Sequence, residues 1–329
     1  MAWSFTGENP LVFTPTLLRQ LDEYKQLAAT RNPSQDALVA KAREIQRSLG
    51  MVPPGEQSIY AKSGTEKEDY LFNYLHPNAN DLTFSSYRAV PPIRVAPGVY
   101  VGGTADVIGL DERGRPLYAE DIKTIHNTKG LSPDAFKPEF IQRLKKYPAE
   151  GYQNIYATAL GLPNILYRGF AYNNPRDPAS KFLFKTEHPG RAASMEQIKQ
   201  WTEGAIQTLS SLGPEYVNAA VKHSQENFVK RVIEPHSYWS KRQVLGPDMD
   251  QVTSEEAQLF KNLEIQTLVK QSDKERREEG VRLSYRGKSA SQKYVDNDDE
   301  TSAGELLGTD KLSRYARSIA LTRGIRAFE

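Results

Sequence analysis

The fold of this chain is decided by PLYAEDIKTIH, residues 116–126, where charged side chains interrupt a segment that otherwise has the composition of a β-strand. Successive side chains of a strand point to opposite faces of its sheet. Asp121 and Lys123 therefore share one face, and Glu120 points to the other, where it is expected to be solvated or paired elsewhere. A carboxylate and an ammonium group thus project together from the predicted strand.

A second strand is predicted just before this one. GVYVGGTADVIGL, residues 98–110, has strand composition, and the spacer DERGR, residues 111–115, contains the polar and glycine residues typical of a turn. The two runs therefore predict a β-hairpin. Asp106 lies on its first strand, so the hairpin can hold Asp106 and Asp121 side by side.

Two carboxylates in one site repel each other, and a positive charge must neutralise them. Lys123 supplies part of that charge, but a divalent cation is more effective. Mg²⁺ prefers oxygen ligands, so we expect it to bind Asp106, Asp121 and the backbone of Ile122, with Mn²⁺ as a substitute. Such an ion polarises a phosphate oxygen and lowers the pKa of a bound water, which is the chemistry of phosphodiester hydrolysis. Lys123 is then expected to orient that water or to offset charge in the transition state.

The composition of the whole chain limits the classes of protein to which such a site can belong. Its 329 residues include 43 Lys and Arg and 41 Asp and Glu, a balance that does not by itself indicate a nucleic-acid-binding protein. No apolar run approaches the ~20 residues that cross a bilayer. There are no cysteines, and the start MAWSFTGENP lacks the pattern of a secretion signal. We therefore expect a cytoplasmic protein that does not associate with membranes.

The chain is predicted to have three regions. Residues 1–54 form a helical N-terminal extension, residues 55–190 an α/β core, and residues 191–329 a helical C-terminal extension. The C-terminal helices are expected at about 193–212, 214–233 and 254–279. An acidic run near the end, YVDNDDETSAG, is predicted to be a loop or linker.

Three groups of residues resemble the motifs of the PD-(D/E)XK nuclease superfamily. Gly103-Thr104-Ala105-Asp106 and Asp121-Ile122-Lys123 are similar to its core, an aspartate on one strand and (Asp/Glu)-x-Lys on the next. Upstream, Gly64-Thr65-Glu66-Lys67-Glu68 is similar to the helical Gly-Thr-x-x-Glu motif of the λ exonuclease and YqaJ branch. The resemblance implies an α/β (α+β), restriction-endonuclease-like core with a central mixed β-sheet flanked by helices.

The resemblance also implies roles for two further residues. Glu68 becomes the first acidic ligand of the metal, although Glu66 and Asp69 are close and helical periodicity does not choose among the three. Downstream, GYQNIY, residues 151–156, resembles the glutamine-bearing helix of RecB-like members, which implies that Gln153 lies beside the metal and the substrate. In that family the tyrosine usually follows the glutamine by four residues, whereas here it follows by three.

Other polar and aromatic residues have simpler interpretations. Arg143, Lys145 and Lys146 form either a solvated helix face or a set of contacts to DNA phosphates. His126 is interpreted as a polar cap of its strand, because a metal-bound water removes the need for a general base. The tryptophans are interpreted as structural: Trp3, Trp201 and Trp239.

The function implied by the resemblance is that of a Mg²⁺-dependent DNA nuclease, an exonuclease or recombination enzyme rather than a restriction endonuclease. Its expected setting is the cytoplasm of a bacterial host, or a virion. The expected partners are DNA and either further copies of the chain or a single-strand-annealing or other phage protein. Two alternatives stay open. One is a nuclease fold used structurally or for DNA binding in a phage particle or packaging assembly. The other is an unrelated α/β protein whose motif is accidental, in which Asp106 and Asp121 would not converge.

Overall fold

The computed structural model describes residues 5–6, 9–55, 67, 71, 84–173 and 182–266. The described residues belong to one compact unit, Met1–Leu268. Four predictions lie outside the described residues: Glu68 with its neighbours Glu66 and Asp69, the structural role of Trp3, the acidic run 294–304, and the C-terminal part of the helix expected at 254–279.

The described part of the chain contains eight strands and eight α-helices with described bounds, and Lys67 and Leu71 are also helical. The strands are β1 (Leu11–Phe13), β2 (Phe84–Ala89), β3 (Ile93–Ala96), β4 (Val99–Val101), β5 (Thr104–Leu110), β6 (Pro116–His126), β7 (Asn164–Tyr172) and β8 (Phe184–Arg191). The helices are α1 (Pro15–Ala28), α2 (Gln35–Ser48), α3 (Pro133–Glu150), α4 (Asn154–Leu160), α5 (Met195–Leu212), α6 (Pro214–Phe228), α7 (Glu234–Ser240) and α8 (254–266). A π-helical turn, Val229–Ile233, joins α6 to α7.

A central mixed β-sheet has five strands in the order β2-β5-β6-β7-β8. Strands β6 and β7 run parallel, and the other neighbouring strands are antiparallel. The predicted hairpin is present as β5 and β6, and its turn is closed by Asp111, whose side chain accepts hydrogen bonds from the backbone nitrogens of Arg113 and Arg115. The prediction of an α/β fold with a central mixed sheet flanked by helices is confirmed.

The stretch 98–110 is not one strand, in contrast to the single strand run expected from its composition. It divides at Gly102 and Gly103 into β4 and β5, which belong to different sheets. Strand β4 joins a second, three-stranded sheet in the order β1-β4-β3, where β1 pairs with it in parallel and β3 antiparallel. A β-carbon at position 103 would lie 2.8 Å from Cε1 of Tyr156, so the break also gives the ring of Tyr156 its space.

The two faces of the five-stranded sheet are covered differently. On one face, Ile122, Phe170 and Tyr172 form a small apolar cluster with Leu71. The opposite face belongs to the main core, which includes Ala119 of β6 and the buried side chains of α3 and α4. Because side chains alternate along β6, Asp121 and Lys123 lie on the face covered by α3 and α4.

The helices of the flanking regions begin at capping residues that the sequence contains. The side chain of Ser34 accepts a hydrogen bond from the backbone nitrogen of Ala37 at the start of α2. Ser194 and Gln197 form a capping box at the start of α5. None of the described helices combines the length and the apolarity that a membrane-spanning helix requires.

Candidate active site

Strands β5 and β6 bring Asp106 and Asp121 together. Their antiparallel register pairs Val107 with Glu120, and one further step places Asp106 opposite Asp121. Oδ2 of Asp106 accepts a hydrogen bond from the backbone nitrogen of Ile122 at 2.7 Å, which holds the carboxylate against the neighbouring strand. If the motif were accidental, the two aspartates would not converge. The structure brings them to adjacent positions on neighbouring strands.

The carboxylate pair is shielded from water. Asp121 is only 4% exposed. Burial and the negative charge of Asp121 raise the pKa of Asp106 to about 6, against the opposing effects of Lys123 and the Ile122 hydrogen bond. The ionised pair is therefore electrostatically unfavourable in the absence of a further cation.

Lys123 is the cation that the fold itself supplies to the pair. Its Nζ lies 2.5 Å from Oδ2 of Asp121 and 5.2 Å from the centroid of the Tyr147 ring on α3. Burial alone would lower the pKa of Lys123, but the charges of Asp121 and Asp106 outweigh it and the net shift is upward. The lysine is therefore charged at neutral pH, and one ammonium group faces two carboxylates.

Tyr156 on α4 is a member of the site whose role the sequence did not establish. Burial, followed by the charges of Asp121 and Asp106, raises the pKa of its hydroxyl. Its ring passes over Gly103, three residues before Asp106. The phenol therefore lies close to both carboxylates and stays protonated. In the sequence, Tyr156 follows Gln153 by three residues instead of the four that are usual in the family, and this difference left the role of the tyrosine open.

Gln153 lies at the N-cap position of α4, and the structure leaves its predicted role untested. Its backbone carbonyl accepts a hydrogen bond from the nitrogen of Tyr156 at 2.9 Å. Its side chain is partly buried, and no hydrogen bond joins it to Asp106, Asp121 or Lys123 within the described part of the chain.

Lys67, which precedes the predicted ligand Glu68, is described although Glu68 is not. Its Nζ lies 4.2 Å from the centroid of the Tyr172 ring, and it is buried. Tyr172 belongs to the cluster on the face of the sheet opposite Asp121. Glu68 stays a prediction.

Glu120 was expected to be either solvated or paired with another residue, and the structure shows that it is paired. It is 1% exposed, and its Oε2 lies 2.8 Å from Nε of Arg168 on β7. Arg168 also pairs with Glu187 on β8. The alternation along β6 established which face Glu120 occupies, but it could not reveal that the face is covered or that β7 supplies an arginine.

His126, at the end of β6, is buried on the face away from Asp121. Its ring lies 5.9 Å from that of Tyr172, and burial, with the charges of Lys67 and Arg143, lowers its pKa. Arg143 donates a hydrogen bond from Nη1 to the backbone carbonyl of His126 at 3.2 Å. The neutral imidazole therefore lies outside the group of side chains that face the carboxylate pair.

The three predicted basic residues of α3 do not share one environment. Arg143 is partly buried, whereas Lys145 and Lys146 are exposed. Lys146 lies three residues after Arg143 and so on the same flank of the helix. Lys145 lies on the outer side, where it lines a shallow groove with Pro138 and Ile141. Among these three residues, the described contact with β6 is that of Arg143 with the backbone carbonyl of His126.

The donor set of the pair fits Mg²⁺ in part. The described residues include no group of three His, Cys, Asp or Glu side chains that could hold a metal ion. They do include two adjacent carboxylates, the ligands that Mg²⁺ prefers, and the raised pKa of Asp106 shows that a further positive charge would be favourable. Two carboxylates, a backbone carbonyl and waters satisfy an ion that usually keeps several waters.

Comparisons with known proteins give structural neighbours. No protein-family model matches this chain, and no curated protein matches its sequence. The solved structure of SSO0001 matches with a TM-score of 0.34 and 16% identity, over 63% of this chain and 78% of that one. An alkaline exonuclease from Laribacter hongkongensis, LHK-Exo, matches with a TM-score of 0.35 and 14% identity, over 66% of this chain and 93% of that one. The structure of LHK-Exo in complex with dAMP matches with a TM-score of 0.36 and 12% identity, over 68% of this chain and 95% of that one.

An alkaline exonuclease is therefore among the solved structures to which this chain is similar.

Proposed function

We propose that this chain is a Mg²⁺-dependent deoxyribonuclease, an exonuclease of bacterial or phage DNA processing that hydrolyses phosphodiester bonds. The observation that supports this proposal most directly is the pairing of the buried Asp121 with the half-buried Asp106, with Lys123 beside them on the same face. Two carboxylates and one ammonium leave one negative charge uncompensated. A site built only for stability would gain by removing one of the carboxylates.

The metal would be held by the carboxylates of Asp106 and Asp121 and by the backbone carbonyl of Ile122, with Glu68 as the further ligand that the sequence motif implies. When bound, Mg²⁺ supplies an acidified water for attack and positive charge at a phosphate oxygen. Mn²⁺ would substitute, because it takes the same oxygen ligands.

The protein's own groups have separate tasks. Lys123 stays protonated and is oriented by Asp121 and by the Tyr147 ring, so its ammonium can orient the nucleophile and offset negative charge that develops on the phosphate. Tyr156 also stays protonated, since its pKa is raised. Its hydroxyl can therefore donate a hydrogen bond to a phosphate oxygen but cannot act as a base.

DNA is the proposed partner, and the flank of α3 that carries Arg143 and Lys146 is the part of the helix best placed to contact its backbone. Phosphate contacts from such residues are independent of base sequence. A homo-oligomer or a single-strand-annealing protein would provide a further surface for the DNA.

One assay tests the proposal: incubation of the chain with end-labelled linear DNA and with closed circular DNA, in Mg²⁺, in Mn²⁺ and in EDTA. We expect loss of label from linear DNA in either metal, intact closed circles, and no reaction in EDTA. Cleavage in EDTA would contradict the metal-dependent mechanism. DNA binding without cleavage in any metal would favour the structural or DNA-binding alternative.

A further inference from the structure

A cavity of about 470 Å³ opens between the end of α3 and the start of α5. Its volume lies within the ~300–1,000 Å³ that is usual for small-molecule sites. Its lining includes Gly151 and Asn154, which flank Gln153 in the sequence. The side chains that give the cavity its chemistry are Trp201, Arg191 and Gln197.

Trp201 supplies a supported aromatic surface. One side of its indole packs against Tyr152, with ring centroids 4.8 Å apart. A β-carbon added to Gly151 would lie 3.4 Å from Cη2 of the indole, so the ring also borders the backbone of the glutamine-bearing segment. Trp201 is partly buried and lines the cavity. An aromatic ring held in this way is suited to stack with a planar ligand.

Arg191 supplies the charge. It is the only charged residue in the lining, and it is exposed. Within the described part of the chain it has neither an ion pair nor a side-chain hydrogen bond. Gln197 adds polarity: its Oε1 accepts a hydrogen bond from the nitrogen of Ser194 at 2.9 Å, which leaves its amide NH₂ group to donate. The cavity therefore offers an aromatic plane, one free cation and an amide donor.

The cavity is connected to the carboxylate pair by a short path. Tyr167 of β7 is the register partner of Asp121 in the parallel pair of strands. Its hydroxyl donates a hydrogen bond to Oδ1 of Asn154 at 2.9 Å, and Asn154 lines the cavity. Gly190 leaves room for this contact, since a β-carbon there would lie 2.3 Å from Oδ1 of Asn154. The path from the strand position of Asp121 to the cavity therefore consists of the Tyr167 side chain and its hydrogen bond to Asn154.

We propose that this cavity binds one nucleotide of the DNA strand, with its base stacked on Trp201 and its phosphate at Arg191. The inference rests on the proposed nuclease function, to which it adds a subsite beside the carboxylate pair. It also changes the interpretation of Trp201, which the sequence suggested to be structural. Stacking tolerates every base, so the subsite would hold the strand without selecting a sequence.

The test is a titration in EDTA with a deoxynucleoside monophosphate and with the matching deoxynucleoside, measured by calorimetry for every variant. In the variants that retain Trp201, its indole N–H resonance is followed in parallel by NMR. Trp201→Leu should weaken binding of the monophosphate by about 5- to 150-fold, the loss expected for one stacked base. Trp201→Phe should retain most of the affinity. Arg191→Gln should reduce the affinity for the monophosphate to that for the nucleoside, and Arg113→Gln, on the hairpin turn, is the matched control.

Equal affinity of wild type, Trp201→Leu and Arg191→Gln for the monophosphate would overturn the subsite. If Trp201→Leu does not fold, Trp201→Phe and Arg191→Gln decide the question. Cleavage of DNA by the wild type is measured in parallel. Cleavage without binding at Trp201 would overturn the subsite alone, and binding without cleavage would overturn the nuclease proposal while the nucleotide site stands.

Discussion

Glu256 on α8 is a buried carboxylate, and the pair on β5 and β6 consists of the buried Asp121 and the half-buried Asp106, but the surroundings of the two sites differ in kind. Glu256 lies 3.0 Å from Nη2 of Arg94 and accepts hydrogen bonds from the hydroxyl of Tyr100 at 2.8 Å and from the nitrogen of Gly98 at 3.1 Å. Thr253 donates from its own nitrogen as well. Burial would raise the pKa of Glu256, yet these donors lower it to about 2.

Asp106 and Asp121 have fewer donors and a like charge beside them. The described donors are the nitrogen of Ile122 and the ammonium of Lys123, and the pKa of Asp106 rises to about 6. Glu256 thus anchors α8 to the three-stranded sheet and is complete within the protein. Within the described residues the aspartate pair has one ammonium group for two carboxylates and is in this sense incomplete, which supports the proposed metal site.

The largest effect is expected at the incomplete site. Asp121→Asn should reduce single-turnover DNA cleavage by about 10³-fold and weaken Mg²⁺ binding, because the proposed metal site would lose a ligand. Lys123→Ala should also abolish cleavage while it largely spares Mg²⁺ binding measured by calorimetry. Glu112→Gln, on the exposed hairpin turn, is the control. Turnover like that of the wild type in either site variant would be fatal to the mechanism.

At the complete site the effect should be on stability. Glu256→Gln should lower the free energy of unfolding by about 3 kcal/mol, because it leaves Arg94 buried without its ion-pair partner. Urea unfolding measures this, and the exposed neighbour gives the control variant Glu255→Gln. If the two variants were equally stable, the network around Glu256 would have no structural importance.

Acid should weaken the same anchor in the wild type. The pKa of Glu256 is lowered from 4.5 to about 2, so its contribution is fully present above pH 4.5 and is lost as the pH falls toward 2. The loss is at most about 3 kcal/mol. The difference in unfolding free energy between wild type and Glu256→Gln should therefore shrink between pH 5 and pH 3. A difference that stayed constant would show that charge is not the cause.

Asp106→Asn should change the free energy of unfolding in the direction opposite to Glu256→Gln. Because the pKa of Asp106 is raised in the folded state, its ionisation costs stability, a penalty absent below pH 3.8 and complete above about pH 6. In EDTA at pH 8 the variant should be more stable than the wild type by about 1 kcal/mol. Added Mg²⁺ should stabilise only the wild type. A variant less stable than the wild type in EDTA would place the aspartate pair in the same class as Glu256.

The smallest effect is expected on the affinity for DNA. Neutralising Lys145 and Lys146 together should weaken binding to unrelated DNA sequences about equally, and the slope of log affinity against log salt should become shallower by roughly one unit per lost contact. The single variant Lys146→Ala should carry most of the change, with Lys145→Ala as its control. An unchanged slope in the double variant would mean that this part of α3 is a solvated face.

Local chemistry predicted much of the site. The alternation along residues 116–126 placed Asp121 and Lys123 on one face, and the turn residues 111–115 predicted the hairpin that brings Asp106 beside them. The start of α2 at Ser34 is likewise a local feature, because a serine side chain caps a helix through a hydrogen bond to a residue three positions away. These features depend on backbone geometry over a few residues, so neighbouring residues suffice to specify them.

Other features depend on segments far apart in the chain. Arg168 reaches Glu120 only because a helical crossover sets β7 parallel to β6, and Glu256 meets Arg94 across 162 positions of sequence. The division of 98–110 into two sheets likewise depends on β1 and on the ring of Tyr156. Periodicity specifies the face on which a side chain lies. Which group covers that face is decided by tertiary packing, because burial and ion pairing require partners that no local pattern contains.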